Sequence, residues 1–161
     1  MRKRFMLALG AALFGVAGIV GIVLATPSSG VTTTTIATGN LAPVNLVVKT
    51  GDWMTQLRTK GDSSLVVTEN DVAPGGTFGW HTHPGPSLVI IKSGTMTFYR
   101  GDDPTCTPQV ATAGDAFVDP GNVVHIGRNE GSVMAVVIVT RVIPAGAPAR
   151  IDQPDPGNCS F

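Results

Sequence analysis

Hydrophobic and polar residues alternate with a period of about two along much of the chain after residue 40. The segment 95–100 (TMTFYR) shows this alternation, whereas 87–92 (SLVIIK) is a nearly continuous apolar run. Val, Ile and Thr outnumber good helix formers in this region, and turn residues recur about every eight to twelve positions. No helical periodicity of about 3.6 residues is found after residue 26. The pattern predicts an all-β sandwich or barrel of short strands.

Gly- and Pro-containing turns divide this region into individual strands. The clearest turn signals are Pro74-Gly75-Gly76, Ser93-Gly94 and Pro120-Gly121-Asn122. The unbroken apolar run is expected to be a strand buried on both faces. The predicted strands are 44–49, 64–72, 77–83, 87–92, 95–100, 109–112, 115–118, 123–127 and 132–143, with 52–60 an uncertain stretch.

The first residues have the features of an export signal. Arg2, Lys3 and Arg4 precede an uncharged apolar run that ends at Ala25. Two interpretations remain open: cleavage after Ala25, or retention as an anchor, because about 20 apolar residues can span a bilayer. In both cases the positive N-terminus directs the rest of the chain outward. The protein is therefore expected to be secreted or anchored to the outer face of the cytoplasmic membrane, with this segment engaging the membrane or the secretion machinery.

The length of 161 residues suits one domain with extensions. Residues 1–25 are the predicted signal peptide or anchor. Residues 26–42, rich in Thr, Ser and Gly, are predicted to be a linker. The barrel is expected over 43–145, and a Pro- and Gly-rich surface tail over 146–161.

The chain contains only three histidines, and their spacing indicates a metal site. His81 and His83 are two positions apart on a predicted strand, so their side chains point to the same face. His125 follows about forty residues later, beside the turn at Pro120. Imidazole nitrogens bind transition metals at about 2.0–2.1 Å. The sequence predicts that the three rings converge on one ion.

Two cysteines, Cys106 and Cys159, form an even set in an exported chain. A disulfide that ties the tail to a loop is the expected outcome. It would close a loop of about fifty residues and stabilise the fold by about 4 kcal/mol in the chain-entropy account.

The charge of the chain argues against a polyanionic partner. The formal net charge is +0 at pH 7, and no basic stripe is present. Nucleic-acid binding is therefore not expected. The expected partner is a small-molecule ligand or substrate.

The histidines lie within two glycine-bounded motifs that resemble those of the cupin superfamily. The first motif matches at Gly75, His81, His83 and Gly94, and the second at Gly114, Pro120, His125 and Asn129. Asn122 stands where glycine is usual, and asparagine also tolerates left-handed backbone. The resemblance implies a double-stranded β-helix, or jelly-roll barrel, that follows the N-terminal apolar export helix and holds a divalent metal in its mouth.

One departure from the family pattern concerns the metal. Ser87 occupies the position usually taken by glutamate, and a hydroxyl is a weak, neutral ligand. The site then offers three imidazoles, which suit Fe, Zn, Cu or Ni, unless it is degenerate. Glu69 or Asp71 is considered as a source of a carboxylate ligand. Acidic residues on a strand near a turn are, however, more often exposed to solvent than bound to a metal. No general base is evident.

The resemblance leaves several functions open. The chain is expected to be an exported metal-binding cupin, and cupin thiol and diketone dioxygenases use three-histidine iron centres. In some thiol dioxygenases a cysteine is cross-linked to a tyrosine beside the metal, so a Tyr99–Cys106 link is an alternative to the disulfide. Other functions considered are a non-catalytic module that binds a sugar or organic acid, and an envelope interaction protein that uses the metal for stability. A homodimer through the exposed edge of an early strand is also considered.

Overall fold

The computed structural model describes residues 24–161. Residues 1–23, which hold nearly all of the predicted export segment and its apolar helix, lie outside this range. Every regular element within the described range is a strand. None of the described residues forms a helix long and apolar enough to cross a membrane. The all-β class predicted from the sequence is confirmed for this part of the chain.

Twelve strands follow one another along the described chain. Their bounds are β1 Ser29–Leu41, β2 Asn45–Thr50, β3 Trp53–Arg58, β4 Ser63–Thr77, β5 His81–Thr82, β6 Ser87–Ser93, β7 Thr95–Arg100, β8 Gln109–Thr112, β9 Ala116–Asp119, β10 His125–Arg128, β11 Ala135–Pro144 and β12 Ile151–Asp152.

Ten of these strands form one antiparallel sheet that rolls into a nearly closed barrel. Its main path runs β12-β5-β10-β4-β11-β6-β9, with β1 added to β4 and with β7 joining β10 to β8. Neighbouring strands are mostly distant in sequence, as in a jelly roll. Strands β2 and β3 pair only with each other, as a separate hairpin. The order places β5, β10 and β9 around one mouth of the barrel.

The main core lies inside the rolled sheet and is built from alternate residues of its strands. Val72, Met96 and Val137 are among its fully buried members. Strand β6 contributes Val89 and Ile91, while its intervening apolar side chains are exposed. The prediction that 87–92 is buried on both faces is therefore wrong. An antiparallel sheet can keep one face in solvent, even where the residues on that face are apolar.

The segment predicted to be a linker instead belongs to the sheet. Residues 29–41 form β1, which pairs with β4 from Ser29 opposite Thr77 to Leu41 opposite Ser63. Threonine is β-branched and favours extended backbone, so the Thr-rich composition suits a strand as well as a linker. The 15 residues of β4 supply the partner that the local sequence does not reveal. The other domain limits stay predictions.

Two turn signals near the site have effects that differ from those predicted. Pro74-Gly75-Gly76 does not end a strand but lies inside β4, where Gly75 has a φ of 74°. The predicted strand 77–83 is instead divided: Thr77 ends β4, Gly79 takes a φ of 69°, and pairing resumes in β5 at His81. These glycines bend the chain so that His81 reaches the mouth of the barrel.

The C-terminal tail is held on the barrel by the predicted disulfide. Cys106 and Cys159 are bonded, with their Cα atoms 5.3 Å apart. Both pack against a second apolar cluster of Trp80, Tyr99 and Ile126. The alternative Tyr99–Cys106 link is therefore wrong, and the Tyr99 hydroxyl instead donates to Glu130.

Candidate metal centre

The barrel brings the three histidines together at its mouth. Strands β5 and β10 pair antiparallel with His125 directly opposite His81, and His83 follows β5. The ring centroids of His81 and His125 are 4.3 Å apart, and that of His83 lies 4.8 Å from His81 and 5.2 Å from His125. One ligand nitrogen from each ring lies within 4.8 Å of the others. The predicted cluster of imidazoles is present.

A backbone carbonyl fixes the orientation of every ring. In His81, Nδ1 lies 2.8 Å from the Gly79 oxygen. In His83 it lies 2.7 Å from the Ala149 oxygen, and in His125 it lies 2.8 Å from the Val123 oxygen. A carbonyl oxygen can only accept, so each Nδ1 carries the proton of the neutral ring. Nε2 then has a free lone pair, which is the form that binds a metal.

Burial keeps two of the rings neutral. His81 is 5% exposed, and His83 is 6% exposed. Burial, followed by the charge of the neighbouring His125, lowers the pKa of His81 to about 2. Burial, followed by the charge of Arg141, lowers the pKa of His83 to about 4. Both imidazoles are therefore uncharged near neutral pH and offer lone pairs rather than protons.

A carboxylate lies beside the histidines, and the sequence-based reasoning missed it. Asp119 ends β9, and its Oδ2 is 3.5 Å from Nε2 of His83 and 3.3 Å from Nε2 of His125. Its side chain is 14% exposed, and its Oδ1 accepts the Gly121 N–H at 2.9 Å. The site thus combines three imidazoles with one carboxylate.

The residues considered earlier as a source of this carboxylate lie elsewhere. Glu69 accepts a hydrogen bond from the exposed Lys92 at 2.7 Å. Neither Glu69 nor Asp71 lines the cavity beside the histidines. The only sequence signal for Asp119 is its place immediately before Pro120 in the second motif, six positions before His125. Since aspartate before a Pro-Gly turn is common, that signal does not distinguish a site residue from a turn residue.

The turn that carries Asp119 differs in detail from the motif-based expectation. Gly121, rather than Asn122, has the positive φ, at 87°. A Cβ on Gly121 would come within 2.4 Å of the Gly85 oxygen, and the Gly121 oxygen accepts the His83 N–H at 2.8 Å. This close approach holds the turn that carries Asp119 against the loop that carries His83. The Asp119 carboxylate and the His83 imidazole are therefore fixed relative to each other.

A small cavity of about 50 Å³ opens beside the imidazoles. Phe78, Phe98 and Phe117 give it largely apolar walls. Two polar groups face this interior without a full set of partners among residues 24–161: Ser87 Oγ and Arg141 Nε make no hydrogen bond. Burial lowers the pKa of Arg141, and its Nη1 donates to Thr68 at 3.3 Å. The cavity therefore has largely apolar walls and borders both the cluster of imidazoles and the buried guanidinium of Arg141.

The comparison with known proteins gives the family. A family model described as a cupin domain matches residues 69–141, which include the whole site. The chain belongs to the cupin superfamily. The cupin is 31% identical over 105 residues to germin-like protein 5-1 of Oryza sativa subsp. japonica, covering 63% of this chain and 47% of that protein. It spans about a third to a half of the length of the curated relatives it matches.

Solved structures agree with this assignment at the level of fold. The polyketide cyclase RemF from Streptomyces resistomycificus aligns with a TM-score of 0.54 at 16% identity, covering 91% of this cupin and 90% of that chain. Peruvianin-I, a cysteine peptidase from Thevetia peruviana latex, aligns with a TM-score of 0.50 at 23% identity, covering 78% and 68%. At these identities the likeness concerns the fold alone.

Proposed function

We propose that this protein is an exported cupin that binds a divalent transition metal through His81, His83 and His125 and acts as a small-molecule dioxygenase. The observation that carries the proposal is the convergence of three imidazoles, each oriented by a backbone carbonyl, at a largely apolar cavity. Imidazole donors suit Fe, Zn, Cu or Ni. Three protein nitrogens leave coordination positions for other ligands, which is typical of catalytic rather than structural sites.

Bound iron would supply the redox chemistry by which dioxygen reacts with a chelating small molecule. The residues of the chain would supply binding and exclusion of water. Phe78, Phe98 and Phe117 would enclose an apolar substrate body. The metal would occupy His81, His83 and His125, so none of these histidines would remain free to act as a general base. Oxygenation depends less on such a base than hydrolysis does. These points favour oxygenation over metal-assisted hydrolysis.

The buried polar groups of the cavity point to an organic acid as the ligand. Arg141 places a guanidinium at the cavity with its Nε unpaired among the described residues, and Ser87 offers a second unpaired atom. An arginine fork matches a carboxylate, and such charge-assisted hydrogen bonds are among the stronger ones. The same observation favours the second candidate function, a non-catalytic module that captures a small organic acid.

Export is part of the proposal and is supported by the Cys106–Cys159 disulfide, since disulfides persist in oxidising compartments. The charged and apolar N-terminal sequence, Arg2 to Ala25, supports it independently. We propose that this segment engages the secretion machinery or the membrane.

A homodimer is also proposed, through the free edge of β1. Within residues 24–161 this 13-residue strand hydrogen-bonds to β4 alone. It contains no proline and no charged residue. Proteins usually protect an exposed edge with residues of these kinds. A second copy of the chain could pair antiparallel along it.

The two candidate functions are separated by oxygen uptake and ligand binding in iron-loaded protein purified without a histidine tag. A panel of small organic acids, thiols and diketones would be tested, with His125→Ala as the control. The dioxygenase proposal expects uptake that depends on both substrate and His125. Binding of an acid without uptake would favour the non-catalytic module, and neither binding nor uptake across the panel would contradict both.

A further inference from the structure

Asp119 and Ser87 occupy directly opposed positions in the sheet. They are paired across β6 and β9, and both line the cavity beside the histidines. Ser87 is 1% exposed, and its Oγ makes no hydrogen bond to any described residue. The family's usual carboxylate is therefore missing from β6, while a carboxylate is present directly across the ladder on β9.

The atoms that face one another at this point are all electron-rich. The protons of His83 and His125 are on Nδ1, bonded to the carbonyls of Ala149 and Val123. Their Nε2 lone pairs consequently face Oδ2 of Asp119. An ionised carboxylate has no proton to donate and can only accept. Lone pairs so placed repel one another unless a cation lies among them.

The distances agree with donors that share an ion rather than with a direct hydrogen bond. A charge-assisted N–H···O bond is about 2.7–2.9 Å long. The observed separations from Asp119 Oδ2 are longer, 3.3 Å to His125 and 3.5 Å to His83. Two donors on one tetrahedral Zn²⁺ ion, each at about 2.0–2.1 Å, are about 3.3 Å apart.

The second oxygen of Asp119 holds the carboxylate in place. Oδ1 accepts the Gly121 N–H, and the Gly121 oxygen accepts the His83 N–H. One carboxylate oxygen is thus occupied by the backbone, and the other is directed at the imidazoles. Such secondary hydrogen bonds are how proteins orient metal ligands.

We infer that Asp119 is a fourth protein ligand of the metal, supplying from β9 the carboxylate that Ser87 does not supply from β6. This inference rests on the metal binding proposed above. The site then has three neutral donors and one anionic donor, which on a six-coordinate ion would still leave two positions for other ligands. The Asp119 carboxylate would partly compensate the charge of a bound divalent cation. A site with one carboxylate then replaces the carboxylate-free site expected from the sequence.

The inference is tested by Zn²⁺ affinity, measured by competition with a chromophoric chelator, and by the visible spectrum of the Co²⁺-loaded protein. Asp119→Asn keeps an oxygen for Gly121 but removes the charge. It should weaken Zn²⁺ binding at least about tenfold and shift the Co²⁺ bands. Asp115→Asn is the matched control, because Asp115 accepts a backbone N–H from Thr112 but is exposed and away from the site.

A carboxylate exchange between the paired positions completes the test. Asp119→Ser should weaken binding as well, and adding Ser87→Glu to it should restore most of the affinity. Melting temperatures of all variants show whether the barrel stays folded. Unchanged affinity and spectrum in Asp119→Asn would overturn the inference and leave the three-histidine site intact. Failure of the wild-type protein to bind any metal would overturn both.

Discussion

At the scale of single residues, the candidate site depends on which nitrogen of each histidine is occupied. Carbonyl oxygens of Gly79, Ala149 and Val123 fix Nδ1 in the three rings. Each ring therefore presents Nε2 to the same small region. The tautomer is set by the backbone before any metal arrives, which reduces the cost of ordering the ligands on binding.

Acidification should destabilise the metal-free protein. The pKa is about 2 for His81 and about 4 for His83 in the folded chain, against an ordinary value of 6.5. Below pH 6.5 the unfolded chain binds more protons at these sites, so the free energy of unfolding falls as the pH falls. The contribution of His83 stops growing near pH 4, and that of His81 near pH 2.

At pH 5, compared with pH 8, the two histidines together should lower the free energy of unfolding by about 4 kcal/mol. Urea unfolding of chelator-treated protein, followed by circular dichroism, measures this difference. The variant His81→Gln/His83→Gln should lose most of it. An equal pH dependence in that variant would show that other groups are responsible.

The sequence predicted the histidines but not their polar neighbours, for a physical reason. His81 and His83 are related by the two-residue period of a strand, and His125 by a turn, so local rules suffice. Asp119 reaches the site through the pairing of β9 with β6, and Arg141 through the pairing of β11 with β6. Such register is decided by the whole sheet, and the hydrophobic pattern alone does not state which strands are neighbours.

At the scale of elements, composition was ambiguous where the partner strand was distant. The Thr-rich segment 29–41 is compatible with a linker until β4 is known to lie beside it. Likewise, the apolar run of β6 suggested burial on both faces, but Leu88 and Ile90 are exposed. In both cases tertiary context decided between alternatives that the local sequence leaves open.

The proposed dimer predicts the effect of a charge on the edge strand. Ile36, in β1, is 56% exposed, and Ile36→Lys should abolish antiparallel pairing between copies because lysine blocks edge association. Size-exclusion chromatography with light scattering should show a dimer for the wild type and a monomer for the variant. Leu88→Lys is the control, since β6 already has partners on both sides. A monomeric wild type would contradict the dimer.

At the scale of the whole molecule, the rolled sheet determines what the site can be. Its mouth gathers residues from β5, β6, β9, β10 and β11 around one cavity, although these are spread over more than sixty positions of the chain, from His81 to Arg141. The disulfide and β12 hold the tail against this side of the barrel, and the tail residue Ala149 supplies the carbonyl that orients His83. The tail is therefore part of the site's support rather than a separate appendage.

The central claim is that His81, His83 and His125 together hold a metal ion. Elemental analysis of freshly isolated protein, purified without an affinity tag, tests it most directly when wild type and His125→Ala are compared. We expect a transition metal bound to the wild type in near-stoichiometric amount and little or none bound to the folded variant. A wild-type protein that contains no metal, and takes none up from added Fe, Zn, Cu or Ni salts, would contradict the account.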